Sequence, residues 1–102
     1  MIQIVVVITT EPGERAAVLE AFKAVVPAVH AEQGCIEYGA FEDIDGYGPP
    51  QTAVGKDSFV VVEKWSGVAE LKAHARTPHM VAYAAKVKDR IKSRTVHLLS
   101  PA

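Results

Sequence analysis

The eighteen residues from Glu63 to Met80, EKWSGVAELKAHARTPHM, contain the side chains best suited to chemistry. A carboxylate at Glu63, an indole at Trp65 and imidazoles at His74 and His79 could form a reaction site. The structural alternative is that Glu63 ends a strand and pairs with a Lys or Arg, while the histidine packs against a helix. The residues alone leave both interpretations open.

The spacing of the histidines argues against a metal site. His74 and His79 are five residues apart with Pro78 between them, so they are not a helical pair, and no HExxH motif is present. The stretch GPPQTAVGKD, from Gly48 to Asp57, superficially resembles a phosphate-binding loop, but its glycines are too far apart and a strand follows it. We therefore predict no metal and no cofactor. The loop is predicted to be an exposed connector or a flap over a pocket.

Length and composition predict one domain over residues 1–102. Hydrophobic residues make up 49% of the 102 residues and the formal net charge is -1, which predicts a folded core and no nucleic-acid partner. Cys35 is the only cysteine, so no intrachain disulfide can form, and this fits a reducing compartment. The apolar run from Ile2 to Ile8 is too short to cross a membrane. We predict a cytoplasmic protein with no membrane partner.

Hydrophobic periodicity predicts four strands and three helices. The predicted strands are Ile2–Ile8, Cys35–Asp43, Ser58–Trp65 and Thr95–Leu99. The first helix begins at Glu14, and Gly34 suits the left-handed conformation that ends a helix. Ser66 is the predicted cap of a short second helix, and Thr77 that of a third helix running to about Ile91. Basic residues near the C-terminus are predicted to form the solvent face of that helix: Lys86, Lys88, Arg90, Lys92 and Arg94.

The order of these elements predicts an α+β fold, a ferredoxin-like sandwich with a four-stranded antiparallel sheet. Helices in such a fold cover one face of the sheet, and the other face is then expected to be polar. Yet the first and third strands have apolar residues on both faces, with Val5, Val7, Val60 and Val62 on the second. We predict that an identical sheet covers this face, which gives a homodimer.

A chain of this size can form one apolar pocket between its sheet and its helices. Strand alternation places Phe59, Val61, Glu63 and Trp65 on one face of the third strand. Large side chains, some with polar tips, are the candidates for lining such a pocket, although such residues are more often core. The candidates are Tyr38, Phe41, Phe59, His79, Met80 and Tyr83.

Four stretches together resemble the antibiotic biosynthesis monooxygenase family, which includes small quinol monooxygenase-like proteins. They are EPG before the first helix, VVPAVHAEQGCIEY leading into the second strand, ED at its end, and VEKWSGVAELKAHARTPHM. The resemblance implies a dimeric α+β barrel and a monooxygenase that acts, without metal or flavin, on a small aromatic, quinol or anthrone-like substrate. It also implies His74 as base or donor, Trp65 as N–H donor, Tyr38 as a polar tip, and Glu63 as the residue that orients one of them.

Haem degradation is a different function found among related enzymes. Related haem-degrading enzymes have an Asn on the first strand and an axial His on the long helix, where this chain has Val6 and Ala84. Neither residue can ligate iron, which disfavours haem degradation. Two functions stay open: a non-catalytic ligand-binding or regulatory dimer, and an isomerase of a small carbonyl compound that uses the same base.

Overall fold

The computed structural model describes residues 1–102 and contains a four-stranded antiparallel sheet and three α-helices. The elements are β1 (Ile2–Thr10), α1 (Arg15–His30), β2 (Cys35–Phe41), β3 (Ser58–Trp65), α2 (Val68–Ala75), α3 (Pro78–Val87), a 3-10 turn (Lys88–Arg90) and β4 (Ile91–Leu99). The strand order in the sheet is β2-β3-β1-β4. This confirms the predicted ferredoxin-like α+β fold. None of its helices has the length and apolar character needed to cross a membrane.

Alternation in β1 and β3 builds the core on one face of the sheet. Ile4, Val6 and Ile8 of β1 are buried, and they pair in register with residues of β3 that include the buried Phe59 and Val61. Helix α1 packs on this face with one stripe of buried side chains: Val18, Ala21, Phe22 and Val29. Burying each large apolar side chain stabilises the fold by about 1.5–3 kcal/mol, so this face dominates the stability of the chain.

The N-terminal cap of α3 agrees with the sequence prediction, and that of α2 differs from it. Thr77 caps α3 as predicted, since its Oγ1 accepts a hydrogen bond from the Met80 backbone N–H at 3.4 Å. The prediction that Ser66 caps α2 is wrong: Gly67 holds that position and no side chain caps the helix. Gly34 has a φ of 83°, and a Cβ there would approach Ser66 Oγ to 2.5 Å. The turn after α1 therefore packs closely against the start of α2, where only glycine fits.

The C-terminal strand begins earlier than predicted. Helix α3 ends at Val87, and β4 begins at Ile91 rather than at Thr95. The longer β4 pairs with almost the whole of β1, which satisfies backbone groups of β1 that would otherwise form an open edge. Lys92 and Arg94 therefore lie on a strand, and the predicted basic helix face does not extend to them.

The loop over residues 42–57 joins β2 to β3, and the side chain of Asp43 holds part of it in place. Asp43 accepts hydrogen bonds from the backbone N–H groups of Val54 and Gly55, each at 2.9 Å. These two bonds lower the pKa of Asp43. Asp43 is thus engaged within the loop, and β2 ends at Phe41, two residues before the predicted end. No residue of the loop lines the cavity described below, so in this structure it is a connector.

The second face of the sheet has no helix over it. Val5, Val7, Val60 and Val62 lie on this face and are half-buried in the isolated chain. Phe41 pairs with Val60 on the same face, and 57% of its surface is exposed. Both faces of the sheet are therefore apolar at its centre, as the alternation of β1 and β3 predicted.

Candidate active-site cavity

A cavity of about 510 Å³ lies between the helix-covered face of the sheet and helices α2 and α3. Aliphatic and aromatic side chains form most of its wall, and the remaining lining residues are Glu63, His74, Lys88 and Arg94. Leu98 of β4 also lines the cavity and is 64% exposed, so the cavity opens along β4. An apolar pocket of this size with a few polar groups is typical of a small-molecule site.

Glu63 is a buried carboxylate in the wall of this cavity, with 8% of its surface exposed. Its register partners are Tyr38 of β2 and Ile4 of β1, so the three form one row across the helix-covered face. The Trp65 indole N–H donates a hydrogen bond to Glu63 Oε1 at 3.0 Å. Burial raises the pKa of Glu63, while this hydrogen bond and the charges of His74 and Arg94 act in the opposite direction. Glu63 therefore retains a proton more readily than an exposed carboxylate does.

His74 lies on α2 between two carboxyl groups. Its Nδ1 is 3.0 Å from Glu32 Oε2, and its Nε2 is 3.9 Å from Glu63 Oε1. The ring packs at 4.6 Å from the Trp65 ring and edge-on to the Tyr38 ring at 5.3 Å, measured between centroids. The nitrogen bonded to Glu32 is the natural position for the ring proton. Nε2, which is too far from Glu63 for a hydrogen bond, is then left with a free lone pair.

Glu32 is the residue of this cluster that sequence analysis missed. It lies in the turn between α1 and β2, and its Oε2 is bonded both to His74 Nδ1 and to His79 Nε2, the latter at 2.7 Å. No local motif indicated it, because the two histidines are 42 and 47 residues away in the sequence. The available signal was the stretch AEQG before Cys35, which places an acidic residue beside a glycine turn. Such a residue is usually solvated, so the pattern alone does not identify it.

Three of the residues predicted to bind substrate line the cavity: Tyr38, Met80 and Tyr83. The Tyr38 hydroxyl donates a weak bond to Met80 Sδ at 3.9 Å. Burial raises the pKa of Tyr38, so its hydroxyl stays protonated and can act as a donor. The Tyr83 hydroxyl is buried and has no hydrogen-bond partner. These two phenols supply hydroxyl donors to a mostly apolar wall.

The other predicted site residues lie outside the cavity wall. Phe59 is fully buried and packs edge-on to Phe22, with the ring centroids 6.2 Å apart. Phe41 lies on the opposite face of the sheet. Trp65 is fully buried behind Glu63, where its N–H is already engaged. His79 is bonded to Glu32. Trp65 and His79 do not line the cavity, but each is hydrogen-bonded to a carboxylate of the Glu63–His74–Glu32 cluster. Phe41 and Phe59 make no hydrogen bond to this cluster.

The positions compared with haem-degrading enzymes both face the cavity. Val6 and Ala84 line its wall, and their side chains offer no ligand to iron. No group of three or more His, Cys, Asp or Glu side chains in the chain is arranged so that it could hold a metal ion.

The pH dependence of stability should report the burial of Glu63. Because burial raises the folded-state pKa of Glu63 above its ordinary value of 4.5, the folded protein binds this proton more tightly than the unfolded chain does. The contribution of Glu63 to stability is therefore full below the ordinary pKa and is lost as pH rises through the folded-state pKa. We expect wild type to lose stability relative to Glu63→Gln as pH rises.

Chemical denaturation at a series of pH values measures this difference. Glu20→Gln removes an exposed carboxylate from α1 and serves as the control, because it should leave the pH dependence of the wild type in place. A constant difference in the free energy of unfolding between wild type and Glu63→Gln at every pH would contradict the expectation.

The fold and the chain sequence together define the class of this protein. The family model for antibiotic biosynthesis monooxygenase matches residues 1–86, and the chain belongs to that family. The structure of PA3566 from Pseudomonas aeruginosa superposes with a TM-score of 0.83 over 99% of this chain and 93% of the other, at 22% identity. That of Rv0793 from Mycobacterium tuberculosis gives a TM-score of 0.81 over 99% and 94%, at 24% identity. These two likenesses establish the fold.

A curated relative is more similar in sequence. The Escherichia coli K12 protein named "Probable quinol monooxygenase YgiN" is 37% identical to this chain over 103 residues. The match covers 99% of this chain and 98% of the relative, so the two proteins correspond over their full length.

Proposed function

We propose that this protein is a cofactor-independent monooxygenase that acts on a small quinol or a related electron-rich phenol. Membership of the antibiotic biosynthesis monooxygenase family and the similarity to a protein named as a quinol monooxygenase support the reaction class. The cavity supports a small aromatic substrate, because its wall is mostly apolar and carries a few polar groups. The oxidant is molecular oxygen.

The observation that carries the proposal is the placement of His74. Glu32 binds His74 Nδ1 at 3.0 Å and so fixes the ring. His74 itself lines the cavity. In this role Nε2 removes a proton from the substrate hydroxyl or from an acidic carbon. The imidazolium that forms lies between the carboxyl groups of Glu32 and Glu63, which stabilise its positive charge. A positioned base of this kind speeds proton transfer by about 10²–10⁴.

The anion that remains on the substrate needs hydrogen-bond donors in a dry site. The Tyr38 hydroxyl lies in the same row of the sheet as Glu63, and its bond to a methionine sulfur is weak enough to exchange for an oxyanion. The indole N–H of Trp65 holds Glu63 in place, and in this scheme it acts on the substrate only through that carboxyl group. Trp65 and Glu63 are positioning residues in this proposal, and Tyr38 is the direct donor.

The proposed reaction balances without a further reductant. The substrate anion transfers an electron to oxygen. The substrate radical and superoxide then combine at a carbon that bears a hydrogen, which gives a peroxide anion on that carbon. His74 returns its proton to the distal peroxide oxygen. The oxygen–oxygen bond then breaks. The distal oxygen leaves as water, taking the hydrogen of the carbon that carried the peroxide, and the proximal oxygen stays on that carbon as a carbonyl. One molecule of substrate and one of oxygen give one quinone and one water.

Oxygen uptake with a panel of quinols and anthrones tests the function. We expect one mole of oxygen to be consumed for each mole of quinone formed, and no conversion under nitrogen. Conversion of a carbonyl compound without oxygen would support the isomerase instead. Binding of the panel without conversion would support a non-catalytic ligand-binding or regulatory protein.

We propose that the working form is a cytoplasmic homodimer joined through the open sheet face. The apolar centre of that face supports the dimer: Val5, Val7, Val60 and Val62 have no cover within the chain. An interface between two such sheets is of the obligate class, with roughly 2,000 Å² or more buried. The single cysteine, Cys35, supports a reducing compartment.

The role of Glu32 gives a prediction of its own. Glu32→Gln should lower turnover by about 10- to 100-fold, because His74 loses the carboxylate that orients its ring and balances its positive charge. The rising limb of the pH–rate profile should move to lower pH, since the protonated imidazole becomes less stable. Steady-state oxygen uptake at a series of pH values measures both effects.

A purely structural Glu32 would give a different result. Turnover per folded molecule and the pH–rate profile would then match the wild type, and only the midpoint of denaturation would change. Glu20→Gln is the matched control, because it removes an exposed carboxylate of α1 that lies outside the cavity. It should leave rate and profile unchanged.

A further inference from the structure

The cavity has a second polar end that the proposed chemistry does not use. Ile4 of β1 pairs with Glu63, whereas Ile8 of the same strand pairs with Arg94 of β4. Four residues of extended strand separate these two rows, which is roughly 13 Å along the sheet. The row between them is apolar, with Val6 paired to Val96. The backbone positions of Glu63 and Arg94 therefore lie in different rows of one cavity wall, and the long side chain of Arg94 brings its charge close enough to act on the pKa of both Glu63 and Tyr83.

Arg94 is a cation without a protein partner. Arg15 pairs with Glu42, and Arg90 pairs with Glu14, but the guanidinium of Arg94 makes no hydrogen bond or ion pair within the chain. It lies at the open side of the cavity, on the strand that the helices do not cover. A planar guanidinium offers several parallel N–H donors, a geometry that matches a carboxylate.

Tyr83 of α3 supplies a second unused donor. Its hydroxyl is buried and has no partner, an arrangement that costs free energy unless a ligand accepts the hydrogen bond. Burial raises the pKa of Tyr83 to about 12, so the group is a neutral O–H donor at working pH. The positive charge of Arg94 acts on the pKa of Tyr83 in the opposite direction. Both residues line the cavity, and each can donate a hydrogen bond to a negatively charged ligand atom there.

We propose that Arg94 and Tyr83 form a carboxylate-binding subsite, so the substrate is a quinol with a carboxylate group on its ring. The Arg94 guanidinium binds the carboxylate and the Tyr83 hydroxyl donates to it. This holds the ring in the apolar middle of the cavity, with a hydroxyl toward His74. The inference rests on the proposed function for the role of the hydroxyl that faces His74. Binding of the carboxylate itself does not depend on turnover.

Anaerobic binding separates the subsite from the reaction. We compare 2,5-dihydroxybenzoate with 2,5-dihydroxybenzamide, which has the same shape and no charge. Wild type should bind the carboxylate at least about tenfold more tightly, as expected for a charge-assisted hydrogen bond. Arg94→Gln should remove this preference while leaving the affinity for the amide unchanged. Tyr83→Phe should reduce the preference by a smaller factor, because the guanidinium remains.

Lys92→Gln is the matched control, since Lys92 is an exposed cation of β4 outside the cavity. It should retain the preference of the wild type. The inference is overturned if wild type binds the two compounds equally, if neither binds, if Arg94→Gln keeps the preference, or if Lys92→Gln loses it equally. Oxygen uptake is measured separately with neutral and carboxylated quinols. A preference in binding without oxygen uptake would support the subsite and contradict the monooxygenase.

Discussion

His74→Ala should lower the turnover of quinol by about 10²–10⁴ while the protein remains folded. The variant removes the only imidazole in the cavity wall, and with it the proposed acceptor of the substrate proton. Neither neighbouring group replaces it, because Glu32 lies behind the ring and Glu63 is held by the Trp65 N–H. The measurement is oxygen uptake with an accepted quinol, divided by the concentration of folded protein.

His74 is also part of the packing, so fold and chemistry have to be separated. Its ring contacts Trp65 and Tyr38, and its loss leaves Glu32 with His79 as the remaining partner. Circular dichroism and the denaturation midpoint therefore accompany the rate. Lys72→Gln changes an exposed residue of the same helix and should leave both unchanged. If His74→Ala lowers stability but retains the full rate per folded molecule, His74 is structural and is not the base.

Val62→Asp should abolish the proposed dimer. Val62 pairs with Val5 at the apolar centre of the uncovered sheet face, and a second sheet packed there would surround the new carboxylate with apolar side chains. An unpaired charge in such a place costs several kcal/mol, more than an interface tolerates at one position. Sedimentation at micromolar concentration should show a dimer for wild type, and a monomer or an unfolded chain for the variant.

The matched control is Val81→Asp, which makes the same substitution at an exposed valine of α3. Val81 lies outside both the uncovered sheet face and the cavity wall, so the dimer and the oxygen uptake should persist. A stable, folded wild-type monomer at low concentration would remove the dimer from the proposal. A fully dimeric Val62→Asp would show that the two chains meet through another surface.

The helical and strand patterns that predicted the fold are local, and this explains why the prediction of the elements was accurate. Side chains alternate along a strand, so β1 and β3 reveal their two faces in their own sequence. Thr77 caps α3 through a bond to a residue three positions later, which a short motif encodes. The start of β4 differs from the prediction, because the length of this strand depends on pairing with β1, which is remote in the sequence.

The residues of the candidate site also differ in whether a local pattern or a contact between distant residues places them. Glu63 and Trp65 share a strand face by alternation, and His74 follows on the next helix, so the sequence alone determined that these three can lie close together. Only the tertiary structure decided how they are connected. The Trp65 N–H is directed at Glu63 rather than at a ligand, and Glu32, 42 residues before His74, orients that histidine. Arg94 enters the cavity because β4 pairs with β1 in one register. A contact between distant residues depends on how packed elements meet, and no local periodicity encodes that geometry.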